Sequence, residues 1–346
     1  MRWRRLPGGA AAAGAIALSI AVSAQPASKP RVTVLTTGGT IASRAGATMQ
    51  DGNTLVAAVP QLLDHAAITV EEVTRVGSSQ ITPTHWLTLA RRINTLLGSD
   101  QGLRGIVVTH GTDTLEDTSF FLHLTVKDRR PVVVTGSMRS ANEISADGPA
   151  NLLNAVRVAV SDSAAGHGVL VALNEHIASA RDVWKTDNRR VETFRSPELG
   201  FLGFVDPDGV VFYRRTLRPH TSESVFDVTT VSSLEHVALL TDYPGFDAGL
   251  MDGVIALKPP GVVIAAFAGG RLSAGARLAI SKATDAGLTV VVASHVPGGR
   301  IVGNPVEGLP VVVARDLSPN KARVLLMLAF TRTRELKEIQ RWFDMY

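Results

Sequence analysis

Two short runs put hydroxyls and glycines together at the ends of apolar segments. The first is Thr36-Thr37-Gly38-Gly39-Thr40, and the second is Thr109-His110-Gly111-Thr112-Asp113-Thr114. Glycine lets the backbone approach a bound molecule closely and leaves amide N–H groups free to face it. Thr-Gly-Gly-Thr alone is also compatible with a plain turn or a loose phosphate loop. It lacks the G-x-G-x-x-G spacing of a dinucleotide site and the Gly-Lys-Ser/Thr of a P-loop. A pair of such runs favours a covalent hydrolase. Threonine attacks a carbonyl only when something removes its proton, and a lysine working through a second hydroxyl and oriented by a carboxylate is one solution. Lys185, in Arg181-Asp182-Val183-Trp184-Lys185-Thr186, is the candidate, although a lone lysine is ordinarily a solvated surface group. His110 follows an apolar run directly and is read as a packed, hydrogen-bonded ring rather than a base. Asp147-Gly148-Pro149 is read as a helix start capped by Asp147.

Several elements must position these residues. The chain alternates β-branched runs (31–37, 68–76, 105–109, 131–135 and 168–173) with helical stretches (55–66, 84–97, 113–126 and 148–160). That order predicts an α/β fold with a mostly parallel sheet covered on both faces. In such sheets ligands bind at the carboxyl ends of the strands, where both threonine runs fall. Segments 199–205 and 210–214 form a hairpin about Asp206-Pro-Asp-Gly209. A polar stretch without either period follows, and alternation resumes at 235 with helices at 273–286, 319–330 and 334–344. The expected organisation is a larger N-terminal α/β domain at 31–214, a linker at 215–234 and a smaller C-terminal α/β domain at 235–346.

The 346 residues are 45% hydrophobic and 19% charged, the mix of a folded chain with a sizeable core. Net charge is +4, and Arg2, Arg4 and Arg5 supply nearly all of that excess. No basic stripe with interleaved aromatics occurs, so nucleic acid is not an expected partner. The three arginines, the apolar run 8–22 and Val22-Ser23-Ala24 read as a signal peptide over 1–24, with an uncleaved anchor as the alternative. Periplasmic or secreted location is the corresponding expectation, with no stable membrane insertion after cleavage. The absence of cysteine excludes thiol catalysis, and no H-E-x-x-H pair points to zinc, so no metal or cofactor is expected.

Beyond these readings, the chain resembles the bacterial L-asparaginase family from about Arg31 to Tyr346. The resemblance is carried by TTGGTIAS at 36–43, VTHGTDTLEDT at 108–118, PVVVTGSMR at 131–139, SADGPANLLNAV at 145–156, ARDVWKT at 180–186 and NKARVLL at 320–326. It implies Thr40 as nucleophile, with Thr112, Asp113 and Lys185 as second threonine, carboxylate and lysine. It also implies a substrate-binding set of Gly39, Ser78, Ser79, Thr112 and Asp113. The substrate would be a small molecule, L-asparagine and possibly L-glutamine, in a homo-oligomer built as a dimer of dimers. The chain departs from the family pattern in three places. Segment 43–53 carries no tyrosine where the family's lid has one, and Ser79 stands where many members have glutamine. Ala268-Gly-Gly-Arg271 replaces a stretch from which a neighbouring subunit's site is completed, leaving Arg271 and Glu307 as candidates for that role. A mixed asparaginase-glutaminase, another small-amide amidase, and a catalytically poor periplasmic amino-acid-binding protein are the alternatives.

Overall fold

The computed structural model describes residues 1, 3, 8, 28–43 and 49–346. Apart from residues 1, 3 and 8, the segment 1–24 read as a signal peptide lies outside these residues, as do residues 44–48 of the lid segment. In chain order the first unit contains β1 (Arg31–Gly38), α1 (Gly52–Ala57), α2 (Leu62–His65), β2 (Ala67–Val76), α3 (Pro83–Ser99), β3 (Leu103–Thr109) and α4 (Leu115–Thr125). It continues through β4 (Val132–Thr135), α5 (Gly148–Val160), β5 (Val169–Leu173), β6 (His176–Ser179), β7 (Trp184–Lys185), β8 (Phe194–Arg195), β9 (Gly203–Asp206) and β10 (Gly209–Phe212). The second unit contains β11 (Val237–Thr241), α6 (Gly249–Ala256), β12 (Gly261–Ala266), α7 (Ala274–Asp285), β13 (Thr289–Ser294), β14 (Val311–Val313), α8 (Pro319–Ala329) and α9 (Leu336–Met345).

The large sheet runs β10-β9-β6-β5-β4-β3-β1-β2, and the small one β11-β12-β13-β14. Strands β2, β1, β3, β4 and β5 are mutually parallel, and β6, β9 and β10 continue the sheet antiparallel. The small sheet is parallel throughout. The α/β reading of the sequence therefore holds.

Alternation along the strands sorts the core into two faces. Ile106 and Val108 pack with α3, α4, α8 and α9, whereas Val107 packs with Leu55, Leu62 and α5 on the other side. Both sets are fully buried, which is why β3 appears in the sequence as an unbroken apolar run. Helices α6 and α7 cover the outer face of the small sheet. Helix α4 lies against α8 and joins the two sheets into one core.

Because β1 lies between β2 and β3, the chain leaves β1 toward one edge of the sheet and later returns to its other side. That reversal opens a crevice beyond the carboxyl ends of β1 and β3.

Some local expectations changed. The helix expected over 55–66 is two short helices, α1 and α2, separated around Pro60, which has no N–H to continue a helical ladder. Strand β6, the β7–β8 ladder, α6 and β14 were not foreseen. Between the sheets, the polar stretch is not a solvated tether. Phe226 and Val228 are fully buried there, with Phe226 edge-on to Trp342 at 5.2 Å, and Lys127 Nζ donates to Ser224 O at 2.6 Å. Among the described residues no helix is long and apolar enough to cross a membrane.

Phe121 of α4 is fully buried and stacks on Trp86 at 5.5 Å. Phe121→Ala is expected to destabilise the fold by about 3–5 kcal/mol in denaturant titration, through lost transfer energy plus a cavity. A loss below about 1 kcal/mol would contradict this packing.

Candidate active site

The two threonine runs meet edge to edge at the crevice. Gly39 takes a φ of +83°, and a β-carbon there would come within 2.3 Å of Gly111 Cα and 2.4 Å of Gly111 N. A β-carbon on Gly111 would come within 2.7 Å of Ser78 Oγ and 3.0 Å of Gly39 Cα. Three loops thus touch where no side chain intervenes: the end of β1, the turn Ser78–Gln80 after β2, and the turn after β3. Gly39 N–H donates to Val76 O at 3.1 Å, and Thr37 Oγ donates to Thr109 O at 2.9 Å, tying the first loop to the other two.

Thr40 opens a single helical turn, Thr40–Ala42, and is half-buried. Its hydroxyl forms no hydrogen bond among the described residues. Thr112 is buried, and its Oγ accepts from Lys185 Nζ at 2.9 Å. The same ammonium meets Asp113 Oδ1 at 2.8 Å. Lys185 comes from β7, far along the chain, and its own backbone N–H donates to Glu116 Oε2 at 2.8 Å. The side chain of Asp113 is 64% exposed. Ser78 is buried, and its Oγ accepts from the Asp113 N–H at 3.1 Å, which leaves its own proton free to donate outward. Thr114 Oγ donates to Ser78 O at 2.8 Å and fixes the turn. Ser79 is exposed on the same turn.

Lys185, Thr112, Asp113 and Ser78 are therefore brought together, with Gly39 and Thr40 against them through the Gly39–Gly111 contact. Arg271 and Glu307 sit elsewhere. They are exposed on the small sheet's loops, after β12 and between β13 and β14 respectively. No cluster of three or more His, Cys, Asp or Glu among the described residues could hold a metal.

His110 supports the loop from beneath and has no access to solvent. Its Nδ1 contacts Gly111 O at 2.7 Å and must donate there. Nε2 then accepts from Thr118 Oγ at 3.0 Å, and Trp86 Nε1 donates to that same oxygen at 2.8 Å. Burial pushes the imidazole down to about 4, so the ring stays neutral, as a structural histidine does.

Asp147 does more than start a helix. No side-chain cap is present. Its carboxylate instead accepts the N–H groups of Met138 (3.0 Å) and Arg139 (2.9 Å) and the amide of Asn151 (3.0 Å). It pins the loop after β4 beside Ser43, whose carbonyl accepts from Ala141 N–H at 3.0 Å. The sequence carried no signal for that role beyond an acid in a glycine-rich turn.

A crevice at a sheet reversal, two threonine turns, and a lysine on one hydroxyl and one carboxylate define a class of hydrolytic site. The family model described as "Asparaginase, N-terminal" matches residues 31–218, and "Glutaminase/Asparaginase C-terminal domain" matches 236–343. The chain is 40% identical to L-asparaginase 2 of Bacillus subtilis over 95% of this chain and 90% of that one. It is 39% identical to a glutaminase-asparaginase of Pseudomonas fluorescens over 91% and 90%. A crystal structure described as a probable cytoplasmic L-asparaginase from Campylobacter jejuni superposes with a TM-score of 0.87 at 41% identity, covering 92% of this chain and all of that one. The protein belongs to the asparaginase family. That last similarity overturns the periplasmic or secreted assignment, because a relative this similar is described as cytoplasmic and the shared fold carries no address.

The neutral His110 makes a pH prediction. Above about 6.5 the ring is uncharged in folded and unfolded chains alike. Between about 6.5 and 4 only the unfolded chain takes up the proton, so stability falls as pH falls through that window. His110→Gln should lack this slope. The stability gap between wild type and variant is expected to narrow by roughly 3 kcal/mol from pH 6.5 to 4 in denaturant titrations. A constant gap would contradict a neutral buried ring.

Proposed function

We propose that the protein hydrolyses L-asparagine to L-aspartate and ammonia through an acyl-enzyme on Thr40. The observation that carries this reading is Lys185 Nζ within 2.9 Å of the Thr112 hydroxyl and 2.8 Å of the Asp113 carboxylate, on a turn in backbone contact with the Thr40 loop. Regions 31–214 and 235–346 are read as its N- and C-terminal domains.

A free amino-acid amide carries an ammonium and a carboxylate. The Asp113 carboxylate takes the ammonium through a charge-assisted bond, and Ser78 with nearby backbone N–H groups takes the carboxylate. Ser79 is placed at the rim of that carboxylate pocket, and Gly39 supplies backbone close to the substrate. Held at both ends, the substrate presents its side-chain amide to Thr40. The Thr40 oxygen attacks the amide carbon. With Lys185 acting as the neutral amine, its nitrogen takes the Thr112 proton as the Thr112 oxygen takes that of Thr40; the ammonium so formed then protonates the departing nitrogen, and ammonia is released. Water hydrolyses the resulting ester and restores the Thr40 hydroxyl. Backbone donors beside Thr112 face the developing oxyanion, an effect worth about 3–4 kcal/mol for a well-placed donor.

Glutamine is the second substrate, favoured by the similarity to a glutaminase-asparaginase. One methylene shifts discrimination by only about 1–3 kcal/mol, so both amides fit the same chemistry. The functional particle is read as a homo-oligomer, a dimer of dimers, with Arg271 or Glu307 as the small sheet's candidate contribution to a neighbouring site.

Ammonia release from asparagine and glutamine by purified protein tests the reading. Thr40→Ala is expected to lower kcat by about 1,000-fold or more, as loss of a nucleophile does. Ser78→Ala is expected to raise KM about tenfold with a smaller change in kcat, the loss of about 1.4 kcal/mol of uniform binding. Equal rates for wild type and Thr40→Ala would reject the nucleophile. Tight calorimetric binding of asparagine without turnover would mark a binding protein instead.

A further inference from the structure

Lys321 stands in the first turn of α8, in the C-terminal unit, and is 1% exposed. Lysine is almost never buried completely without partners that justify it. Its partners here are not carboxylates. Nζ donates to the backbone carbonyls of Arg181 at 2.7 Å and Val183 at 2.5 Å. Those carbonyls belong to the turn that delivers Lys185, two residues further on. The Glu116 carboxylate in the first turn of α4 takes the Lys185 N–H at 2.8 Å. The same turn is also anchored through the Arg181 side chain, which pairs with Asp182 and Asp316 at 2.9 Å each and donates to the carbonyl of Tyr346.

We propose that Lys321 is a positioning residue for Lys185: together with Glu116 it holds the backbone of segment 181–185 and sets the Lys185 amine against the Thr112 hydroxyl. This assignment rests on the reading that the Lys185–Thr112 pair serves amide hydrolysis. The geometry requires such an arrangement. Segment 181–185 has little regular structure of its own, because β7 is two residues long and pairs only with β8. Without an external donor the Arg181 and Val183 carbonyls would be buried and unpaired, at a cost of about 1–3 kcal/mol each. The ammonium supplies both bonds at once and links the C-terminal unit to the catalytic edge of the large sheet. Burial pushes Lys321 down to about 8, while the Glu116, Asp182 and Asp117 carboxylates pull it up and Arg181 adds to the depression. The structure thus keeps a cation at a position where removal from water disfavours it.

The test uses the full-length protein with Lys321→Met, which keeps length and removes the donors, and Lys321→Gln, which keeps two donors on a shorter arm. Folding is checked by circular dichroism and thermal melting. In folded Lys321→Met, kcat for asparagine is expected to fall at least tenfold while KM stays within threefold, and Lys321→Gln should recover part of the loss. Hydrogen exchange across 182–186 is expected to quicken at least tenfold, with β12 and β13 unchanged. A folded Lys321→Met enzyme with wild-type kcat, with unchanged exchange at 182–186, or with KM raised as much as kcat falls overturns the assignment. If wild type turns over neither amide, the hydrolase reading fails, and exchange at 182–186 alone decides whether the clamp exists. Should neither Lys321 variant fold, Glu116→Ala carries the same two measurements. Unchanged kcat and exchange in that variant would equally overturn the clamp.

Discussion

Gly39 and Gly111 approach so closely that a methyl group on the first would overlap the backbone of the second. That contact exists because β1 and β3 are parallel neighbours ending at the same level, and because the chain reverses its direction across the sheet between them. Everything chemical follows from it. The loop of Thr40 cannot move away from the loop of Thr112 and Asp113 without opening a gap at the sheet edge. A hydroxyl on one is thereby fixed relative to a lysine-bonded hydroxyl on the other. The glycines matter for what they omit, which is volume.

Around that contact the supports are buried or half-buried, and mostly uncharged. His110, Thr118 and Trp86 form a hydrogen-bonded chain under the Thr112 turn, and Asp147 holds the loop after β4 beside Ser43. The charged groups face the crevice instead, with Asp113 largely in solvent and Lys185 between it and Thr112. This division suits a site that must bind a zwitterion. In the proposed reading the charges that would meet substrate stay hydrated until it arrives, and groups that only hold shape are largely removed from water. Lys321 and Arg181 are exceptions, buried cations that join the C-terminal unit to the segment bearing Lys185.

Much of this was legible in the sequence for identifiable reasons. The parallel strands announce themselves because both faces are covered, so Val107 and its neighbours are apolar without alternation. The threonine turns were legible because glycine and hydroxyl residues cluster at strand ends. Other features lacked a local signature. Lys321 resembles any helix-start lysine until the fold brings carbonyls 140 and 138 residues away against it. Asp147 looks like a cap because its true partners, the Met138 and Arg139 amides, lie in a loop without periodicity. Phe226 sits in a polar run, and only the arrival of Trp342 and Tyr346 from the chain's end explains its burial. These are long-range pairings, which composition and periodicity do not encode.

The central claim is that Thr40, rather than Thr112, carries the acyl group. Rapid acid quench of the enzyme during asparagine turnover, followed by proteolysis and mass spectrometry, reads this directly. The account predicts an aspartyl ester on the peptide containing Thr40 and none on the peptide containing Thr112. An ester on Thr112, or turnover that continues with no ester on either threonine, would contradict it.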